Sequence, residues 1–93
     1  MKADRIIRAV SEASGTTLLD FRSGNRKRHI SLPRQLAMYL IRRETGETHE
    51  RISKRFNINR ASSSHAYSVV DAQLKFNQTD TVSLYNETLS LLE

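Results

Sequence analysis

Between Phe21 and Arg43 the chain carries seven basic residues, Arg22, Arg26, Lys27, Arg28, Arg34, Arg42 and Arg43, and no acidic one. Charge alone supports a polyanionic partner, whether nucleic acid, acidic lipid or acidic protein, and a one-signed basic loop feeding a helix is what a phosphate backbone would select. Arg26, Lys27 and Arg28 are contiguous and follow Gly24-Asn25, which gives the backbone freedom to move into a groove. A guanidinium on such a loop suits an A·T-narrowed minor groove, where the negative potential is strongest. The bland alternative is a solvated basic face. The lack of any nearby carboxylate argues against it.

A second group stands at Arg60-Ala61-Ser62-Ser63. If these open a helix, the small side chains let its end sink into a major groove. Arg60 can fork onto guanine O6 and N7, and the serine hydroxyls can meet bases or phosphates. A helix N-terminus also favours a phosphate beside it. Other chemistry finds no support. His29, His49 and His65 make no i,i+4 pair, and there is no cysteine, so no metal site is expected. His65 follows Ser62-Ser63-Ser64, but neighbours on a helix point apart and cannot serve as nucleophile and base. No carboxylate pair stands out. The sequence reads as a non-enzyme without a cofactor.

These groups need a scaffold. The 93 residues suffice for one domain spanning 1–93, burying roughly 60–65% of its unfolded surface. The net charge is +5 and unevenly placed. Residues 1–20 balance to zero, and in 61–93 Lys75 faces Asp71, Asp80, Glu87 and Glu93, so the positive excess lies between 21 and 60. No stretch approaches a membrane span, and the N-terminus lacks a signal-peptide apolar core. A cytoplasmic, nucleoid-associated protein is expected.

Apolar positions recur at helical spacing. Ile6, Ala9, Val10 and Ala13 form one stripe, closed by Gly15. Thr17 starts a short helix with Leu18, Leu19 and Phe21 turned inward. Pro33 suits the first turn of the next helix, whose buried face is Leu36, Ala37, Leu40 and Ile41, and Thr45-Gly46 ends it. Thr48 caps a fourth helix anchored by Ile52 and Phe56. Asn59 caps a fifth, from Arg60 to about Phe76, with an inward stripe drawn from Ala61, His65, Val69, Ala72 and Phe76. A last helix begins near Thr79-Asp80 and turns Val82, Tyr85, Leu89 and Leu92 inward. The expected fold is all-α, a bundle of five or six helices. Its pair at about 48–56 and 60–76 has the short-helix, turn, long-helix pattern of a helix-turn-helix.

Residues 17–44, above all Pro33-Arg34-Gln35-Leu36-Ala37-Met38-Tyr39-Leu40-Ile41-Arg42, resemble the C-terminal DNA-binding domain of the bacterial replication initiator DnaA. The resemblance covers about residues 5–76. It implies a Trp-repressor-like helix-turn-helix in the major groove of double-stranded DNA and an arginine from the basic loop in the adjacent minor groove. Counting back from Pro33, that arginine is Arg26, with Lys27 beside it. Arg28, Arg34 and Gln35 match positions near the phosphate backbone. Arg42 matches a phosphate-side position, Thr45 a polar one, and Thr48-His49-Glu50 a backbone-contacting segment whose usual Leu-Pro is absent. His65-Ala66 match the end of the family signature.

The departures fall where specificity is made. The family's signature of two glycines, Arg-Asp-His-Thr-Thr and an apolar pair before His-Ala is replaced by a stretch one residue shorter, Asn57-Ile58-Asn59-Arg60-Ala61-Ser62-Ser63-Ser64-His65-Ala66. Asn59-Arg60 stand for the base-reading Asp-His, and Ala61 and Ser62 for the two threonines. Phosphate positioning looks retained and base readout changed. The Gly-x-x-x-x-Gly-Lys-Ser/Thr of an ATP-hydrolysing module is missing, so a free-standing or excised domain is expected, able to occupy a site, compete for one or regulate a promoter. The expected function is sequence-specific duplex binding with an altered box. The alternative is a protein-interaction module that keeps the fold without the readout, with a homo- or hetero-protein partner meeting Leu84 and Leu91.

Overall fold

The structure, a computed structural model, describes residues 1–93 as six helices: α1 (Ala3–Ser14), α2 (Leu18–Phe21), α3 (Arg28–Thr45), α4 (His49–Arg55), α5 (Arg60–Lys75) and α6 (Thr79–Leu92). They fill a body of 27 × 27 × 24 Å. There are no strands, and the class is the expected all-α bundle.

The run Leu36 to Ile41 is buried without a gap. A helix buried on every face must run through the centre, and α3 does so, packing against α1 and α5. The α1 residues Ile6, Ala9 and Val10 are buried, whereas Ala13 is half-buried. Phe21 and Phe56 meet edge to face at 6.0 Å and tie α2 to the end of α4. The last helix lies along α1, and Arg5 Nη2 donates to the Leu92 carbonyl at 3.0 Å.

The termini follow local chemistry. Gly15 and Gly46 close α1 and α3 at φ 75° and 71°, a conformation glycine adopts without a Cβ clash. The Thr17, Thr48 and Asn59 side chains accept from the backbone N–H groups of Asp20, Arg51 and Ser62, each cap worth about 1 kcal/mol.

Four expectations are corrected. The central helix starts at Arg28, so Pro33 lies inside it. A proline there donates nothing to the His29 carbonyl one turn back. Thr16 Oγ1 donates to that carbonyl instead, at 3.2 Å. Leu18 and Leu19 are exposed, and only Phe21 of α2 turns inward. In α5 the buried positions are Ser63, Ala66 and Val70, flanked by Tyr67 and Leu74, while Phe76 is 85% exposed. The helix is rotated from the expected stripe so that Ala66 and Val70 join the core, and the Ser63 hydroxyl is accommodated inside by a partner on α4. In α6, Thr81, Thr88 and Leu92 are buried, with Leu84 and Tyr85 packed against the core at its edge. The Thr81 hydroxyl is accommodated by donating to Gln73 Oε1 at 2.8 Å.

Candidate nucleic-acid interface

The turn Phe56–Asn59 sets α5 against α4. Asn57 takes a left-handed φ of 55°, a conformation asparagine tolerates better than most residues. The Ile58 N–H donates to the Ser53 carbonyl at 3.0 Å. Between the helices, His49 Nδ1 and Ser63 Oγ lie 3.1 Å apart, and the His49 ring sits edge-on to Tyr67 at 6.2 Å. Burial, with Arg42 and Arg60 nearby, holds the His49 imidazole below its usual pKa. Ser63 is buried, so its hydroxyl serves helix pairing and is not open to a ligand. Asn59, Arg60, Ala61, Ser62 and His65 are exposed on the outer side of the same turns.

A cleft of about 780 Å³ separates this surface from the basic loop. Arg26, Arg34 and Gln35 line one side, and Asn59, Ala61, Ser62 and His65 the other. The loop and the start of α5 therefore share one face of the molecule. Arg34 is 8% exposed, so its place is the wall of the cleft and not an outer phosphate surface. Its Nη2 donates to the Asn25 carbonyl at 2.8 Å, while Nη1 is buried without a partner. Burial lowers its pKa, although an arginine remains charged under these conditions. Arg34 thus pins the base of the loop that carries Arg26. Ser31, Met38 and Ile58 also line the cleft. For Ser31 and Met38 the signal was the helical spacing of 31, 34, 35 and 38, concealed while Pro33 was placed in the first turn of α3; Ile58, in the turn before α5, carried none.

The cations differ in what they already touch. Arg26 and Lys27 are exposed. Arg28 lies 3.6 Å from Asp80 with both side chains more than half exposed, a pair worth less than about 1 kcal/mol. By contrast, Arg22 Nη1 donates to the carbonyls of Arg55 at 2.7 Å and Lys54 at 3.4 Å, closing the end of α4. Arg42 Nη1 donates to the carbonyls of Glu47 and Gly46. Arg43 donates to the Tyr39 hydroxyl at 2.9 Å. Thr45 Oγ1 donates to the Ile41 carbonyl and accepts from the Glu47 N–H, and Thr48 caps α4. Arg42, Thr45 and Thr48 therefore lie around the α3–α4 connection with internal partners, outside the cleft. Arg55 forks onto Glu47 at 2.8 and 2.9 Å, and that hydrogen bond holds the Glu47 carboxyl below its usual pKa.

A short helix, a four-residue turn and a longer helix with an open first turn define a helix-turn-helix protein. The family model described as bacterial dnaA protein helix-turn-helix matches residues 3–70. The chain belongs to that family. It is 43% identical over 58 residues to the chromosomal replication initiator protein DnaA of Desulfatibacillum aliphaticivorans, a match covering 62% of this chain and 13% of that protein. It is 47% identical over 45 residues to the initiator of Chloroflexus aggregans (48% of this chain, 9% of that protein). The initiator of Picosynechococcus sp. is 40% identical over 53 residues (57% and 12%). The chain thus matches only a small part of these relatives' length. No helix is long and apolar enough to cross a membrane.

Proposed function

We propose that the chain binds double-stranded DNA sequence-specifically, with the start of α5 in the major groove and the basic loop in the adjacent minor groove. Family membership supports DNA binding in a replication-initiator-like domain. The observation that carries the two-groove reading is the cleft in which Arg26 faces Asn59, Ala61, Ser62 and His65. Arg26 enters the minor groove, Lys27, Arg28, Gln35 and His65 meet phosphates, and Asn59, Arg60, Ala61 and Ser62 face base edges. The role is that of a replication initiator's box reader or a regulator of such sites, with an altered box. If five to seven phosphates are contacted, the logarithm of affinity falls with that of salt at a slope of about −4 to −6. A flat titration for every duplex would end this reading.

A second reading, a protein-interaction module without base readout, draws on the exposed Leu19 and Phe76, 79% and 85% accessible, and on Leu91 at 40%. Large apolar side chains left in water are favoured where a protein partner covers them. A dimer in a sizing run that ignores duplex DNA would favour it.

A further inference from the structure

The start of α5 is polar in one sense only. Asn59 Oδ1 accepts from the Ser62 N–H at 2.8 Å. A backbone N–H can only donate, so this bond fixes which way the amide faces. The oxygen is engaged in the cap, and the outward atom is Nδ2, a pair of donors. Arg60 follows, exposed, with five donors and no acceptor. The first turn holds no acidic residue. The one carboxylate of α5, Asp71, lies near its far end and pairs with Lys75 at 2.9 Å. None of the residues lining the cleft is acidic, and Arg34 stands in its wall. The serine hydroxyls adapt to either role and impose no sign.

From this inventory we infer that the recognition turn reads hydrogen-bond acceptors, and that its duplex carries an obligatory guanine opposite Arg60. In the major groove guanine alone offers two adjacent acceptors, N7 and O6, whereas cytosine and adenine present amino donors. Donors facing donors would leave both unpaired in a desolvated contact, which rejects those edges. This inference rests on the duplex-binding reading and adds the chemistry of the edge.

The test begins with selection of bound duplexes from a random pool by the full chain. An invariant guanine is expected. Replacing it by 7-deazaguanine, which removes N7 alone, should weaken binding about 5- to 150-fold. Asn59→Asp keeps the capping oxygen and turns the outward group into an acceptor. Its thermal melt should match the parent's, and its selected sequences should shift beside the guanine toward cytosine or adenine. Arg60→Gln should exchange the guanine for adenine, which glutamine pairs through N6 and N7. A pool without an invariant guanine, 7-deazaguanine binding within twofold, or unchanged preferences in both variants would overturn the inference. Salt-dependent binding without base preference overturns it and leaves duplex binding standing. No binding to any duplex removes both.

Discussion

The two ends of α3 carry the same kind of charge and use it in opposite ways. At the N-terminal end Arg26, Lys27 and Arg28 have at most one weak, solvent-exposed partner. At the C-terminal end Arg42 and Arg43 donate to carbonyls and a tyrosine hydroxyl within the protein, and Arg55 forks onto Glu47. A phosphate competes for the first set against water, and for the second against ordered acceptors. The seven-cation run is therefore not one uniform binding surface. Arg26, Lys27 and Arg28 are free to meet a ligand, whereas Arg22 closes the end of α4, Arg42 holds the α3–α4 connection and Arg43 is tied to Tyr39 of its own helix.

Four outcomes would break or sharpen this contrast. The largest concerns the fastened end. Glu47→Ala should lower unfolding stability by about 2 kcal/mol, because a partly buried guanidinium loses two charge-assisted bonds. It should leave the salt slope of DNA binding unchanged, and denaturant unfolding beside a salt titration measures both. Second, Arg34→Gln should weaken duplex binding by about 1.5 kcal/mol by releasing the loop. Combined with Arg26→Ala the losses should fall short of their sum by about 1 kcal/mol, as for residues acting through one contact. Full additivity would detach Arg34 from the loop. Third, Arg28→Ala should reduce the salt slope by about one unit while Arg42→Ala leaves it alone. Equal effects would erase the distinction between the ends.

The smallest effect is on pH. His49 has a depressed folded pKa, caused first by burial, so the unfolded chain takes up its proton more readily. Its contribution is at its full value above the ordinary 6.5 and is lost as pH falls from there through the folded value. Glu47 adds a second loss at lower pH. Its carboxyl is depressed by Arg55, so its stabilisation is present above the usual carboxyl range and disappears as pH falls through the lowered value. Thermal melts of His49→Gln against pH should lose the first step and keep the second.

Much of this was legible in the chain. Gly15, Gly46, Thr48 and Asn59 mark helix ends by chemistry contained within a few residues, and the structure uses all four there. The juxtaposition of the basic loop with the start of α5 followed from the family resemblance. What escaped was set by distant partners. Thr16 lies thirteen residues from the carbonyl it satisfies, so nothing near Pro33 revealed that α3 begins at Arg28. The rotation of α5 buries Ser63, whose partner His49 lies fourteen residues away. Arg22, Arg34 and Arg42 donate to main-chain carbonyls. Every residue has a carbonyl, so no pattern of side chains marks such an acceptor.

The proline inside α3 has one more consequence. A helix missing a rung is weakened at that point, yet here the missing rung recruits the Thr16 hydroxyl from the α1–α2 connection. The weak point thereby becomes an anchorage to the segment that joins α1 to α2. Arg28 stands one residue ahead of that anchored carbonyl, and the Arg26 loop springs from a root already immobilised. Less motion remains to be frozen when the loop settles into its groove, so a defect in the rod becomes a gain in readiness at its tip.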